Sequence, residues 1–304
     1  MSTIVFTRPD SAPDAGAETP EDPAKGRPWW LVGMLVAIAA IYSLSATWSG
    51  YYAVDPFTNA VQAHAWAADG GPIVEGAGDL TRDESLRYLA WMVESPRGAT
   101  TQYPPGVGLW GSLFYLPATG AEVTDVEYIT ADGSAAYETM RLPSLAPATV
   151  AAVTSVVLAM LFLGLTLREV LDDRSAKVAL AVAALGTGAW SVAADRLWQH
   201  GPSMMCISLG TYLASKNKLF AAGLAFGGGI LIRPHIALIA AALGITLAVS
   251  RRDVRPMLAV GAGSAVGLCV LVGYNYWLWD SINISGGYGD AFSQGAVNNS
   301  AVDL

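Results

Sequence analysis

Apolar residues in this chain fall in long blocks, and polar residues are confined to short clusters between them. The first block begins at Trp29 and runs to about Trp48. Further blocks cover about 142–166, 178–197, 202–214, 219–232, 234–249 and 256–278. A helix of about 20 apolar residues spans the roughly 30 Å of a bilayer core, so the pattern predicts an all-α, polytopic membrane protein with about seven transmembrane helices. The blocks at 202–214 and 219–232 fall short of the roughly 17 residues a full crossing needs, which leaves a re-entrant hairpin and a locally thinned bilayer as alternatives.

The separators alternate in charge. Arg168 to Lys177, Lys216 to Lys218 and Arg251 to Arg255 are basic, as are Lys25 and Arg27 ahead of the first block. Threading the chain with its N-terminus in the cytoplasm puts 11 of the 17 Lys and Arg inside and 16 of the 25 Asp and Glu outside. The positive-inside rule therefore predicts a cytoplasmic N-terminus, with the C-terminal tail, 279–304, outside. Trp48, Trp198, Trp277 and Trp279 fall at outer ends of blocks and Trp29 with Trp30 at an inner end, as aromatic belts do.

Two stretches break the pattern. Residues 1–28 have no apolar period and are expected to form a disordered cytoplasmic tail. The first apolar core starts too late for a secretory signal and reads as an anchor. The stretch from Gly50 to about Arg141 is far longer than ordinary connections, and such loops are commonly functional. Within it, Pro56–Ala68, Asp83–Val93 and Val107–Ala118 predict short helices lying along the outer membrane surface. The core, 29–278, thus includes an outer loop at 50–141.

Composition narrows the function. The chain is 53% hydrophobic and 14% charged, with a net charge of −8. No basic stripe supports nucleic-acid binding. Cys206 and Cys269 lie in apolar runs without a partner motif, and the spacing of His64, His200 and His235 matches no metal site, so no cofactor or metal is expected.

The remaining candidates stand at block ends. Asp55 follows the first block, and Pro56 after it suits the first turn of a helix. That leaves Asp55 either a plain N-cap or a carboxylate facing the membrane surface. Tyr103-Pro104-Pro105-Gly106 forms a stiff extended turn, because each Pro fixes its own φ and restricts the residue before it. Arg141 opens the second block, where a snorkelling arginine and a functional one are equal alternatives. Arg233, followed by Pro234 and His235, interrupts apolar sequence at a cost of roughly 3 kcal/mol if deep in the bilayer. It reads either as a stop at the outer interface or as a partner for phosphate, which its planar fork suits. His200 lies in the tight turn Gln199-His200-Gly201-Pro202.

The order of these features resembles the C-type glycosyltransferases, membrane enzymes of the protein mannosyltransferase and aminoarabinose transferase kind. Members carry an acidic base just after the first span, a His or Lys before a Pro-Pro pair, and an Arg-Leu-Pro-Ser-like run opening the second span. Asp55, Tyr103-Pro104-Pro105 and Arg141-Leu142-Pro143-Ser144 match in that order. Arg233 falls where a basic residue near the lipid phosphate is common, and Tyr274 to Tyr288 is similar to the family's turn after the seventh span. Tyr103 stands where His or Lys is usual, His200 where Asp is usual, and Asp55 lacks the adjacent Glu that many members carry.

The resemblance implies an inverting transferase working on the outer face of the cytoplasmic membrane, with a polyprenyl-phosphate-linked sugar as donor and a glycan, lipid or protein hydroxyl as acceptor. Asp55 is then the catalytic base, and Arg233 the cation for the departing phosphate, assisted by Arg141 or His235. Tyr103 and His200 would line the sugar pocket. The alternative expectation is a non-catalytic lipid-binding or interaction subunit of a cell-envelope glycan assembly, and in either case the short C-terminus leaves room for a partner subunit.

Overall fold

In a computed structural model, the described residues are 28–49, 54–75, 92–129, 134–284 and 286–287. The expected tail at 1–28, apart from Pro28, and the surface helix over most of Asp83–Val93 lie outside them, as does the end of the C-terminal tail. Within them the chain is predominantly helical. Nine α-helices run in order: α1 (Trp29–Ser45), α2 (Val54–Ala68), α3 (Gly106–Tyr115), α4 (Ala146–Val170), α5 (Asp173–Leu185), α6 (His200–Ser215), α7 (Leu219–Ile230), α8 (Ile236–Arg251) and α9 (Arg255–Trp279). Two antiparallel hairpins, β1 (Met92–Ser95) with β2 (Gly98–Thr101) and β3 (Ala121–Ile129) with β4 (Ala135–Pro143), are added to the expected helices.

The second apolar block needs correcting at its start. Arg141 does not open a helix, because it lies on β4 opposite Val123 of β3. The helix begins at Ala146 with Pro147 in its first turn, the position where a missing N–H costs nothing. The block at 178–197 is also not one helix. α5 stops at Leu185, ahead of Gly186-Thr187-Gly188, and a single wide turn, Ala189–Ala193, closes with a bond from Ala194 N to Ala189 O of 3.0 Å. Thr187 explains part of the break: its Oγ1 accepts from Ala189 N at 3.2 Å, offering that amide a partner other than the helical carbonyl.

Among the described residues, α4 and α9 are long and apolar enough to cross a membrane, and α1, α7 and α8 are shorter apolar helices. The basic turns meet at one end of the bundle. Lys216 after α6 pairs with Glu169 of α4 at 2.8 Å, and Arg251 of α8 donates to Asn217 at 2.7 Å. Lys177 of α5 stands over the Trp30 ring of α1, 5.4 Å from its centroid. Elsewhere, Thr47 donates through both its backbone N (2.9 Å) and its Oγ1 (2.8 Å) to Asp195 Oδ1.

Packing within the bundle depends on small residues. Leu31 of α1 seats where a Cβ on Gly164 of α4 would stand, at 2.7 Å, and buried Tyr42 donates from its hydroxyl to Ala184 O at 2.8 Å. α7 and α9 approach still closer: a Cβ on Gly223, Gly263 or Gly267 would collide with the backbone of the opposite helix. Glycine there trades helix propensity for backbone contact. Phe226 fills the adjoining space and is fully buried with Ile230, Val260 and Leu271.

α2, expected to lie along the membrane surface, is enclosed by other parts of the protein. Every residue from Pro56 to Ala65 is buried, including Thr58, Asn59 and Gln62, which have no measurable exposure. α3 covers one side, Gly108 lying so close that a Cβ would meet Gln62 Oε1 at 2.5 Å. Leu197 covers another, and Ala60, Ala63, Val107, Tyr115, Ala148, Ala151, Leu197 and Ile232 form one cluster. Mixed polarity at helical spacing does not distinguish a surface helix from one enclosed by other elements.

Candidate functional site

Asp55 lies in the first turn of α2, its second residue, and not at the N-cap. Its backbone carbonyl accepts from Thr58 Oγ1 at 3.0 Å. No hydrogen bond or ion pair engages the half-buried carboxylate among the described residues. α2 is held by Asn59 further along, whose Nδ2 donates to Leu197 O at 2.9 Å. That bond ties the helix to the turn 196–199, so the carboxylate is presented by a fixed element.

The same turn holds Arg233. The chain ends α7 with Arg233 N bonded to Gly229 O at 2.8 Å and resumes as α8 with Ile236 N bonded to Arg233 O at 3.0 Å, so Arg233 and Pro234 form a tight elbow between helices. Arg233 Nε donates to Gln199 Oε1 at 3.1 Å. Gln199 is 6% exposed, and a buried amide is a rigid anchor. With Nε engaged, the two terminal nitrogens of the guanidinium have no partner among the described residues, which leaves a two-donor edge free for an oxyanion.

His200 is the first residue of α6, ahead of the apolar run, with its ring centroid 6.1 Å from that of Trp198. It lies within electrostatic reach of both Asp55 and Arg233. Asp55, His200 and Arg233, which sequence order alone separates widely, therefore share one electrostatic neighbourhood.

The stiff turn joins them from α3. Gly106 N donates to Leu231 O at 2.8 Å, and a Cβ at Gly106 would stand 2.6 Å from Ile232 Cγ1 and 2.7 Å from the Leu231 carbonyl. Only glycine lets the Pro105–Gly106 backbone dock against the elbow that carries Arg233. Tyr103, 6% exposed, is thereby held close to the same region. The chain after α9 folds back here too: Asn275 Nδ2 donates to Asn283 O at 2.7 Å, and a Cβ on Gly287 would meet Gln102 Cα at 2.8 Å.

His235 is exposed at the start of α8, and no described residue bonds its ring. Arg141 is placed on β4 by its backbone pairing with Val123. His64, the third histidine, is structural: its Nε2 lies 2.9 Å from Thr119 O and its ring meets Tyr115 edge-on. Among the described residues no cluster of His, Cys, Asp or Glu could hold a metal ion. Gln199 as the anchor of Arg233 was not foreseen. Its place beside His200 before Gly201-Pro202 was the available signal, but a glutamine in a turn has no distinctive spacing.

No protein-family model matches this chain, and no curated protein or solved structure matches it.

Proposed function

We propose that this chain is a polytopic membrane glycosyltransferase of C-type character, which inverts the anomeric centre as it moves a sugar from a polyprenyl-phosphate donor to an acceptor hydroxyl. The observation that carries the reading is that an Asp55 carboxylate engaged by no described residue and an Arg233 guanidinium anchored through Nε both lie within electrostatic reach of His200.

The membrane assignment is supported by the outward faces of the helices. Val36 and Leu44 of α1, Val178 and Val182 of α5, Leu238 and Val249 of α8, and Leu258 and Val270 of α9 are all exposed. In water such continuous apolar surface is a liability, whereas in a bilayer it is the required solvent-facing side. In this reading α1, α4, α5 with the wide turn after it, and α6 to α9 are the seven passes. The basic turns gathered at one end face the cytoplasm, and the C-terminus lies outside.

Asp55 accepts the acceptor hydroxyl's proton as the oxygen attacks the anomeric carbon, a general-base role that needs hydrogen-bond reach to that oxygen. The bond from the anomeric carbon to the phosphate oxygen breaks on the opposite face, and its electron pair leaves with the lipid phosphate. Arg233 meets the growing charge there, where a fixed donor stabilises the transition state more than the ground state. His200 and Tyr103 border the sugar, with the lipid tail in the bilayer.

The test is transfer from radiolabelled polyprenyl-phosphate sugars by the full chain in lipid nanodiscs, with Asp55→Asn and Arg233→Ala alongside. Transfer by the native chain that Asp55→Asn abolishes supports the reading. Transfer indifferent to Asp55→Asn removes Asp55 as the base, whereas Arg233-dependent lipid binding without any transfer overturns the transferase reading and favours a lipid-binding subunit.

A further inference from the structure

A second recess lies at the other end of α2, away from the Asp55 carboxylate. It is a cavity of about 480 Å³ bordered by Trp66 and Asp69 from α2 and the turn after it, by Pro72 and Glu75 from the following loop, and by Trp277 from the last turn of α9. Asp55 and Trp66 are eleven residues apart on one helix, which at 1.5 Å per residue separates them by about 16 Å along its axis. The two regions are therefore distinct.

The walls are built and fixed. Thr100 Oγ1 donates to Pro72 O at 2.8 Å and Val74 N to Ala99 O at 2.8 Å, so β2 holds the loop from behind. Arg97 Nε donates to the Trp277 carbonyl, and its guanidinium lies over the Trp277 ring, 5.1 Å from the centroid. Gly70 takes a φ of +73°, which turns the chain after Asp69, and among the described residues a Cβ on Gly70 or on Gly71 would meet nothing within 4 Å.

The chemistry of these walls selects the occupant. The Asp69 carboxylate disfavours an anion. The Arg97 charge already placed over Trp277 disfavours a second cation against that ring. A neutral ligand with an apolar face for indole and a hydroxyl for the Asp69 carboxylate fits these walls, which is a sugar ring. The volume falls within the range of small-ligand pockets. We propose that the recess between Trp66, Asp69 and Trp277 is a binding site for a neutral saccharide. That it holds part of an acceptor glycan rests on the transferase reading; that it binds a saccharide does not.

The experiment is saturation-transfer NMR on the full chain in nanodiscs, titrated with a neutral hexopyranosyl disaccharide, a neutral pentofuranosyl disaccharide and, as the cationic competitor, choline. Binding of either disaccharide is expected, weakened at least about tenfold by Gly71→Leu, which adds a side chain to the lining, and by Trp66→Ala. Asp69→Asn, a near-isosteric change at an exposed position, is expected to weaken it as well and serves if either larger change unfolds the chain. Asp55→Asn should leave this binding unchanged. Saccharide binding lost with Gly71→Leu and Asp69→Asn, in a native chain that transfers no sugar, would sink the transferase reading and keep the site. Absence of saccharide binding, saccharide binding indifferent to Gly71→Leu and Asp69→Asn, or binding of choline alone overturns the site, whatever Asp55 does.

Discussion

Arg233 and Gln199 are joined by a hydrogen bond of 3.1 Å from Nε to Oε1, and that single contact connects the elbow between α7 and α8 to the turn before α6. It orients a guanidinium that would otherwise sample several rotamers, and it does so with a neutral partner, so the anchor itself does not neutralise the charge. A carboxylate in place of Gln199 would hold the side chain as well but would neutralise it. The neutral anchor is therefore consistent with a cation kept available for an anionic ligand.

Gln199→Leu is expected to release Arg233 without removing its charge. Losing a hydrogen bond to a charged group costs about 1.5–3 kcal/mol, which corresponds to a loss of donor affinity of roughly 10- to 100-fold. Arg233→Lys should lose a similar factor, since an ammonium keeps the charge but cannot present the planar edge. Both are checked by lipid-phosphate binding in nanodiscs, and unchanged affinity in Gln199→Leu would show that the bond does not orient the arginine.

Gly106→Ala should misplace the Tyr103–Gly106 turn. The added Cβ meets the Leu231 carbonyl and Ile232, so the turn must separate from the elbow and lose the bond from Gly106 N to Leu231 O. Overpacking of this kind costs about 1–3 kcal/mol. Loss of transfer exceeding the loss of thermal stability is the expected pattern, read from a melting curve and an activity assay on the same preparation.

The α7 and α9 crossing gives a sharper contrast. Gly267→Ala drives a methyl into the Gly227 backbone and should lower stability by about 1–3 kcal/mol or more. Gly261→Ala, on the same helix but facing open space, should be neutral or stabilising by up to about 1 kcal/mol through helix propensity. Thermal unfolding in one detergent distinguishes them, and equal effects would mean that the close approach is not maintained.

Much of the architecture was legible because apolar block length and charge alternation are one-dimensional signals. The blocks at 202–214, 219–232, 234–249 and 256–278 each match a helix to within two residues at either end, since turn chemistry at Asn217, Pro234 and Asp253 punctuates them. Asp55, Tyr103, His200 and Arg233 were each visible as polar or conformationally stiff residues at block ends. Arg141 was placed wrongly, because the strand that carries it borders directly on an apolar run and Pro143 looks like a helix opening whether or not one begins there.

What the sequence by itself determined was the succession of helices and the polar residues between them, because both follow from local composition and spacing. Tertiary structure alone decided that α2 is enclosed, that Gln199 anchors Arg233, and that Asp55, His200 and Arg233 share one electrostatic neighbourhood. Those outcomes depend on residues far apart in sequence meeting across glycine-lined contacts such as Gly106 against Leu231 and Gly108 against Gln62. A missing side chain carries no periodic signal, and its effect appears only when two backbones are brought together.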